Sequence, residues 1–373
     1  MTEPLRITAI EIDGTVTRPL RFAGSPGEAL YAALREAMLK RGCLRDRAHK
    51  GQCLNCALLP ESPVWPFVAP ADPTQRQRGP YLRPFVLRLP EIPPTGLPVG
   101  ARVTYGMTMV QDTTFPALWG AFGAAFVLAA RQVADWGFGL AVREGEQAAR
   151  RGAISVGRAR WRNPVTGENQ PFTIPEGQPE PPPLIATFEM PSDVGASTAR
   201  DAISLTFLTP TRLVAAGATL RRPEPDVLLR RVAERIDAVA ASVGIAPPNL
   251  LGDDAFLASL SRLELRVDET RWMGDAARGG FTGPATFGGP PDDLARLPHI
   301  LNWGAALGVG KGTLYGAGRF VVGPVPLSAR VVMPDEQETS VRPATGAKQE
   351  QRRPPPKQPP QLRKRTPKGN RKR

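Results

Sequence analysis

Residues 308–320 read Gly-Val-Gly-Lys-Gly-Thr-Leu-Tyr-Gly-Ala-Gly-Arg-Phe. A helical pattern precedes this stretch and a short apolar strand follows it, so it closes the fold. Alternating glycines let a backbone approach a phosphate closely and direct its N–H groups there. Lys311 and Arg319 add positive charge. The stretch, called the glycine-rich loop below, predicts a phosphate-binding loop, and the alternative is a glycine-rich turn without a ligand.

A nucleotide-binding P-loop is excluded by spacing. That motif has a glycine five residues before its Gly-Lys pair and Ser or Thr directly after the lysine. Here those positions hold Ala305 and Gly312. The loop also follows a helix, whereas a P-loop follows a strand.

The first half of the chain alternates strand-like and helix-like segments. Ser25-Pro26-Gly27-Glu28 is a capping box that starts a helix, and Gly42 stops it. The predicted elements are a strand at Leu5–Thr17, a helix to about Arg41, strands at Phe85–Leu89 and Arg102–Val110, a helix at about Phe115–Ala134, and a strand at about Ala153–Arg162. This order is typical of a ferredoxin-like fold.

The second half repeats the order, with one extra strand, after the proline-rich segment Pro175–Pro183. The predicted elements are strands at Leu184–Met190 and Ile203–Thr209, a helix at about Asp226–Val243, strands at Leu263–Val267 and Gly280–Phe287, a helix at about Asp293–Ala306, and a last strand at Gly318–Val322. We therefore predict an α+β fold with two tandem ferredoxin-like domains. Residues 1–174 form the N-terminal domain with a cysteine-containing insertion, and residues 184–325 form the C-terminal domain with the glycine-rich loop.

The positive charge is concentrated at the C-terminus. The formal net charge is +13, and Arg342 to Arg373 contains twelve Lys or Arg residues and one acid. This basic, proline-rich tail, residues 334–373, is predicted to be disordered and is either a tether for phosphates or a solubilising appendage. The chain contains no apolar run of 18 residues and no signal-peptide pattern, which predicts a cytoplasmic protein without a membrane partner.

Several segments together resemble a known family. They are Phe207–Leu213 followed by a helix with Arg230-Arg231, then Gly280–Gly289, then the glycine-rich loop. In the first half, the helix leading to Cys43 and the pair Cys53-x-x-Cys56 fit the same pattern. Residues 5–322 resemble the RAMP superfamily of RNA-binding proteins, and more narrowly the CRISPR precursor-RNA processing endoribonucleases, the sixth Cas family, which act in antiviral defence.

The resemblance implies metal-independent cleavage of CRISPR repeat RNA, with no cofactor required for catalysis. The 2′-hydroxyl attacks the neighbouring phosphate and leaves a 2′,3′-cyclic phosphate. The reaction needs a base, an acid and a cation for the charge on phosphorus. Relatives often carry a histidine two residues before the Gly-Lys pair, where this chain has Gly308.

The candidate catalytic residues are His299, Lys311, Tyr315 and His49. His299 lies one helix before the loop among apolar residues, so it either faces the loop or is a partly buried histidine bonded to backbone. His49 lies in a basic segment and is a catalytic group, a zinc ligand or an exposed residue. Tyr315 either donates a proton or fills the core.

The predicted RNA contacts come from the loop and from one strand. They are Gly308, Gly310, Lys311, Gly312, Thr313, Gly316, Gly318 and Arg319 in the loop, and Arg158, Arg160 and Arg162 in the strand. Alternate residues of a strand project from one face, so the three arginines line an RNA path or a solvated edge, with Trp161 turned the other way.

The chain has three cysteines, and an odd count argues against a disulfide framework. Cys43, Cys53 and Cys56, with His49 as a fourth ligand, would complete a structural zinc site. The alternative is three unlinked thiols.

Two functional hypotheses use the same fold and loop. One is an endoribonuclease that cuts CRISPR repeats, and the other is a non-catalytic RNA-binding subunit of an effector complex with other Cas proteins. A metabolic enzyme with a phosphate-binding loop is a third, disfavoured by the missing nucleotide motif.

Overall fold

The computed structural model describes residues 4–42, 83–93, 95–111, 116–143, 148–174, 176–177, 180–189, 201–267, 269–274 and 279–334. Within these ranges, no helix is long and apolar enough to cross a membrane.

The first half is an antiparallel sheet with two helices on one face. In chain order it contains β1 (Arg6–Arg18), α1 (Pro26–Gly42), β2 (Phe85–Arg88), β3 (Arg102–Gln111) and α2 (Pro116–Trp136). The hairpin of β2 and β3 lies beside β1, whose register with β3 runs from Arg6↔Gln111 to Thr15↔Arg102. Alternate residues of β1, such as Ile10 and Ile12, pack with the helices in one core. The first ferredoxin-like pattern is confirmed.

The predicted strand at Ala153–Arg162 is wrong as a single element. It consists of β5 (Arg150–Ile154) and β6 (Ala159–Arg162), preceded by β4 (Phe138–Val142), which the sequence did not predict. Because β1 has 13 residues, its two ends have separate partners: Val16 pairs with Ile154 and Ile12 with Ala159. A short strand, β7 (Asn169–Pro171), continues beyond β6.

The segment predicted as the strand Leu184–Met190 of the second half has a different position. Among its described residues, 184–189, only β8 (Ala186–Thr187) is strand, and it pairs with Arg6 and Ile7 of β1. Phe188 and Ile7 nevertheless pack in the core of the second half. This segment therefore links the two halves.

The second half is a smaller antiparallel sheet covered by helices. Its elements are β9 (Ile203–Thr211), β10 (Val214–Ala215), β11 (Ala218–Thr219), α3 (Pro225–Ser242), α4 (Asp254–Leu260), β12 (Glu264–Arg266), β13 (Arg271–Met273), β14 (Gly280–Gly288), α5 (Pro291–Leu307) and β15 (Phe320–Val322). The strand order is β12-β14-β9-β15, with β13 as an additional partner of β14. Leu228, Val232, Ile236 and Val239, spaced along α3, are completely buried. The second ferredoxin-like pattern is confirmed.

The chain returns to the first half after β15. Val332 exchanges backbone hydrogen bonds with Arg102 at the start of β3. Ser328 lies beside the Arg162 guanidinium, 3.5 Å from Nη1. Residues 327–334 therefore lie against the first sheet.

Candidate nucleic-acid interface

The glycine-rich loop lies where the two halves meet. It leaves α5 at Gly308, forms a 3₁₀ turn at Thr313–Tyr315 and enters β15. A Cβ atom on Gly27, at the start of α1, would lie 1.6 Å from the Tyr315 carbonyl oxygen, and one on Gly316 would lie 3.2 Å from the Leu87 carbonyl oxygen. The backbones approach this closely because neither glycine has a side chain.

The expectation that the loop directs its backbone N–H groups at a phosphate is wrong for most of the loop. Seven of its amides donate hydrogen bonds inside the protein: those of Val309, Lys311, Tyr315, Gly316, Ala317, Gly318 and Arg319. Gly308, Gly310, Gly312, Gly316 and Gly318 have positive φ angles between 70° and 84°. Glycine adopts such angles without steric cost. These glycines shape the turn, so phosphate contacts depend mainly on side chains.

A cleft of about 460 Å³ opens beside the loop. Its walls are the N-terminal turn of α1 from Ser25 to Glu28, the segment Leu89–Pro93 after β2, and the loop residues Lys311 and Tyr315. The Lys311 side chain is exposed here while its amide is held by the Arg212 carbonyl at 3.0 Å. The positive end of the α1 dipole and the lysine charge favour an anion in this cleft.

Tyr315 lines the cleft and packs against a second tyrosine, Tyr31. The ring of Tyr315 lies edge-on to that of Tyr31, with centroids 5.2 Å apart. Burial raises the pKa of Tyr31, so its phenol remains protonated at neutral pH and is able to donate a hydrogen bond. Tyr31 was not predicted from the sequence. The available signal was its position one turn after Gly27 on the same face of α1.

His299 does not face the glycine-rich loop, contrary to one of the sequence expectations. It lies on α5 about 12 Å along the helix axis from Leu307, at about 1.5 Å per residue. Its ring is half-buried against Phe188, with centroids 5.1 Å apart, and its buried Nε2 has no hydrogen-bond partner among the described residues. Burial lowers the pKa of His299. A direct proton-transfer role in the cleft is therefore not supported.

Two of the three strand arginines are held by carboxylates. Arg160 donates to Glu11 at 3.1 Å and to Asp13 at 2.8 Å, and Arg162 donates to Glu11 at 3.1 Å. Their charges are compensated inside the first half, and an RNA contact by these two residues stays a prediction. Arg158 is exposed. Trp161 points into the opposite core, as predicted.

Arg319 is also withdrawn from solvent. The residue is 5% exposed and its Nη1 donates to the Leu89 carbonyl oxygen of the first half. The guanidinium is enclosed by protein, and the phosphate contact of Arg319 stays a prediction.

The predicted zinc site lies outside the described residues. Cys43, His49, Cys53 and Cys56 all belong to that part of the chain. Among the described residues, no cluster of three or more His, Cys, Asp or Glu side chains suits a metal ion. The zinc site and the catalytic role of His49 stay predictions.

The second half of the chain matches a known family. Residues 205–320, from within β9 to the start of β15, match the family model described as CRISPR-associated endoribonuclease Cas6. Over these residues the chain resembles the Cas6 endoribonucleases. No curated protein sequence matches it significantly.

The chain is similar to several solved structures. A partial Cas6-RT-Cas1–Cas2 complex matches with a TM-score of 0.50 at 14% identity, over 89% of this chain and 48% of that one. Cas6 from Thermus thermophilus matches with a TM-score of 0.44 at 15% identity, over 86% of this chain and 99% of that one. A RAMP protein binding different RNA substrates matches with a TM-score of 0.36 at 11% identity, over 85% of this chain and 100% of that one.

Proposed function

We propose that this chain binds CRISPR repeat RNA and cleaves it as a precursor-RNA processing endoribonuclease. The family match supports the class of reaction, because it includes the entire glycine-rich loop. In this proposal the 2′-hydroxyl attacks without a metal ion and leaves a 2′,3′-cyclic phosphate. Repeat RNA is the partner. Other Cas proteins are further candidates, since one solved neighbour is a Cas6-RT-Cas1–Cas2 complex.

One observation carries the proposal: the cleft between the halves is lined by the exposed Lys311 and by Tyr315, against whose ring Tyr31 packs. A lysine ammonium is a point charge that neutralises the charge developing on phosphorus. Tyr31 and Tyr315 are the candidate donors for the leaving oxygen, since burial raises the pKa of Tyr31 and keeps its phenol protonated. His49, outside the described residues, remains the candidate base.

RNA contacts beyond the cleft are proposed at the surface of the loop. Lys311 and Gly312 are exposed, and Gly310 is partly exposed. Arg158, exposed directly before β6, is a further candidate. Thr313 and Gly308 are buried, so we assign them to the shape of the loop.

The decisive experiment incubates the purified chain with labelled repeat RNA in EDTA. We expect cleavage at one position, with product 3′ ends that resist phosphatase until acid opens the cyclic phosphate. Cleavage that requires added metal would contradict the mechanism. Absence of both cleavage and repeat-specific binding would contradict the function.

The variant Lys311→Ala tests the assigned cation. We expect cleavage to fall about 10²–10³-fold, as when one stabilising donor is removed. The salt slope of RNA binding should decrease by about 0.7, the share of one single-strand phosphate contact. Lys40→Ala is the matched control because Lys40 is an exposed lysine that pairs with Glu36 away from the cleft. Equal effects of both variants would remove the assignment.

The second candidate function is a non-catalytic RNA-binding subunit. It is favoured by Gly308, which occupies the position where the resembled family often has a histidine, and by the distance of His299 from the loop. Tight repeat-specific binding without cleavage in the same assay would establish it.

A further inference from the structure

Arg319 lies near a buried ionic cluster that the proposed chemistry does not use. The centre of the cluster is Glu11, whose side chain is 4% exposed on β1. Arg160 and Arg162 approach its carboxylate to 3.1 Å and Arg88 to 3.7 Å. Through these three arginines, the buried Glu11 carboxylate connects β1 with β2 and β6.

Arg319 approaches this cluster from the other half of the protein. It follows the glycine-rich loop, whereas Leu89, which accepts its Nη1 hydrogen bond, follows β2. Burial and the nearby Arg88 guanidinium lower the pKa of Arg319, while the charge of Glu11 raises it. The negative charge of Glu11 therefore acts across the junction between the halves and offsets only part of the effect of burial.

The backbone of the same residue is fixed to the loop. The Arg319 amide donates to the Thr209 hydroxyl at 2.9 Å, and that hydroxyl donates to the Gly316 carbonyl at 2.9 Å. The Arg319 carbonyl accepts from the Leu208 amide at 2.8 Å. A displacement of the Arg319 side chain is thereby transmitted to the turn that carries Tyr315.

We propose that Arg319 is a positioning residue: its guanidinium, held by the Leu89 carbonyl, fixes the glycine-rich loop against the first half and so places Lys311 and Tyr315 in the cleft. The kinetic consequence rests on the proposed function. The positioning itself does not, because the contact between the loop and the first half is independent of whether the chain cleaves RNA.

The experiment compares Arg319→Met with Arg319→Lys. Met has a similar length but removes the charge and the donors, and Lys keeps the charge with one donor group. We expect Arg319→Met to lower kcat for repeat cleavage about 100-fold, the effect of a misplacement of roughly 1 Å, with KM changed less than about threefold. The kcat of Arg319→Lys should be at least about tenfold higher than that of Arg319→Met.

Hydrogen exchange measures the loop without reference to activity. In Arg319→Met, amides of residues 309–319 should exchange at least about tenfold faster, while those of β14 should keep the wild-type rate. The matched control is Arg262→Met, which removes a bidentate arginine bonded to Asp293 at 2.6 and 2.7 Å within the second half. This control should leave loop exchange unchanged.

The outcomes are distinguishable. A wild-type chain that does not cleave refutes the proposed function, and loop exchange still tests the positioning. Unchanged loop exchange in Arg319→Met, or a kcat within threefold of an active wild type, overturns the inference. If Arg319→Met does not fold, loop exchange and kcat of Arg319→Lys decide. Its single donor group should give values of both between those expected for Arg319→Met and those of wild type. Wild-type values of both overturn the inference.

Discussion

Replacing Gly27 by alanine tests whether the contact between the halves depends on a missing side chain. Gly27 lies in the first turn of α1 and packs on the glycine-rich loop. The added Cβ would lie 1.6 Å from the Tyr315 carbonyl oxygen, whereas real Cβ atoms essentially never approach closer than 3.0 Å. The loop and α1 must therefore separate by about 1.4 Å.

Two effects of opposite sign set the magnitude. Alanine in place of a helical glycine stabilises a helix by about 0.5–1 kcal/mol. Overpacking typically costs about 1–3 kcal/mol, and here the obstructing atom is backbone, which cannot move to another rotamer. We therefore expect the Gly27→Ala chain to lose up to about 2 kcal/mol of unfolding free energy. Cleavage should fall about 100-fold because the cleft residues shift by more than 1 Å.

Urea unfolding and repeat-RNA cleavage measure these two effects. Gly288→Ala is the matched control, since a Cβ there has nothing within 4 Å, and it should behave like wild type. If Gly27→Ala is more stable than wild type and equally active, helix propensity dominates and the tight junction between α1 and the loop is refuted.

Three further predictions concern other parts of the chain. His299→Ala should keep the cleavage rate within about threefold, because the ring is far from the loop; a loss near the roughly 100-fold of a proton-transfer group would restore its catalytic role. Burial alone would raise the pKa of Glu11, but the arginines around it hold that pKa below its ordinary value of 4.5. The stability that the ionised Glu11 contributes is therefore present above that value and is lost as pH falls through the folded pKa. Acid unfolding curves of Glu11→Gln should be flatter below about pH 4.5 than those of wild type. Trp161→Ala should lose about 3–5 kcal/mol in urea unfolding, because the ring is buried edge-on against Phe172; a loss below about 1 kcal/mol would contradict its core position.

Local patterns were sufficient for most elements. The apolar spacing along α3 predicted its buried face, and the capping box predicted the start of α1, where the Glu28 amide lies 3.3 Å from the Ser25 hydroxyl. These signals are readable because the interacting residues are within a few positions of each other. The family resemblance could likewise be read from the sequence, because it depends on short continuous segments.

The roles of the charged side chains could not be predicted from local patterns. An arginine in the sequence has the same charge whether it is exposed to a phosphate or enclosed by protein. No neighbouring residue in the sequence indicates that Arg160, Arg162 and Arg319 are enclosed. Their partners are distant: Glu11 is 149 residues from Arg160, and Leu89 is 230 residues from Arg319. Only chain folding brings such groups together, so burial of a charge depends on tertiary contacts.

The longer elements, such as β1, α1, β9 and α3, form where periodicity, caps and glycine stops place them, because those signals act over a few residues of the chain. Three properties of the site come instead from packing: which loop amides are already bonded, that Tyr31 meets Tyr315, and that Arg319 joins the two halves. They depend on the close approach of backbones at Gly27 and Gly316, a distance that no local pattern encodes.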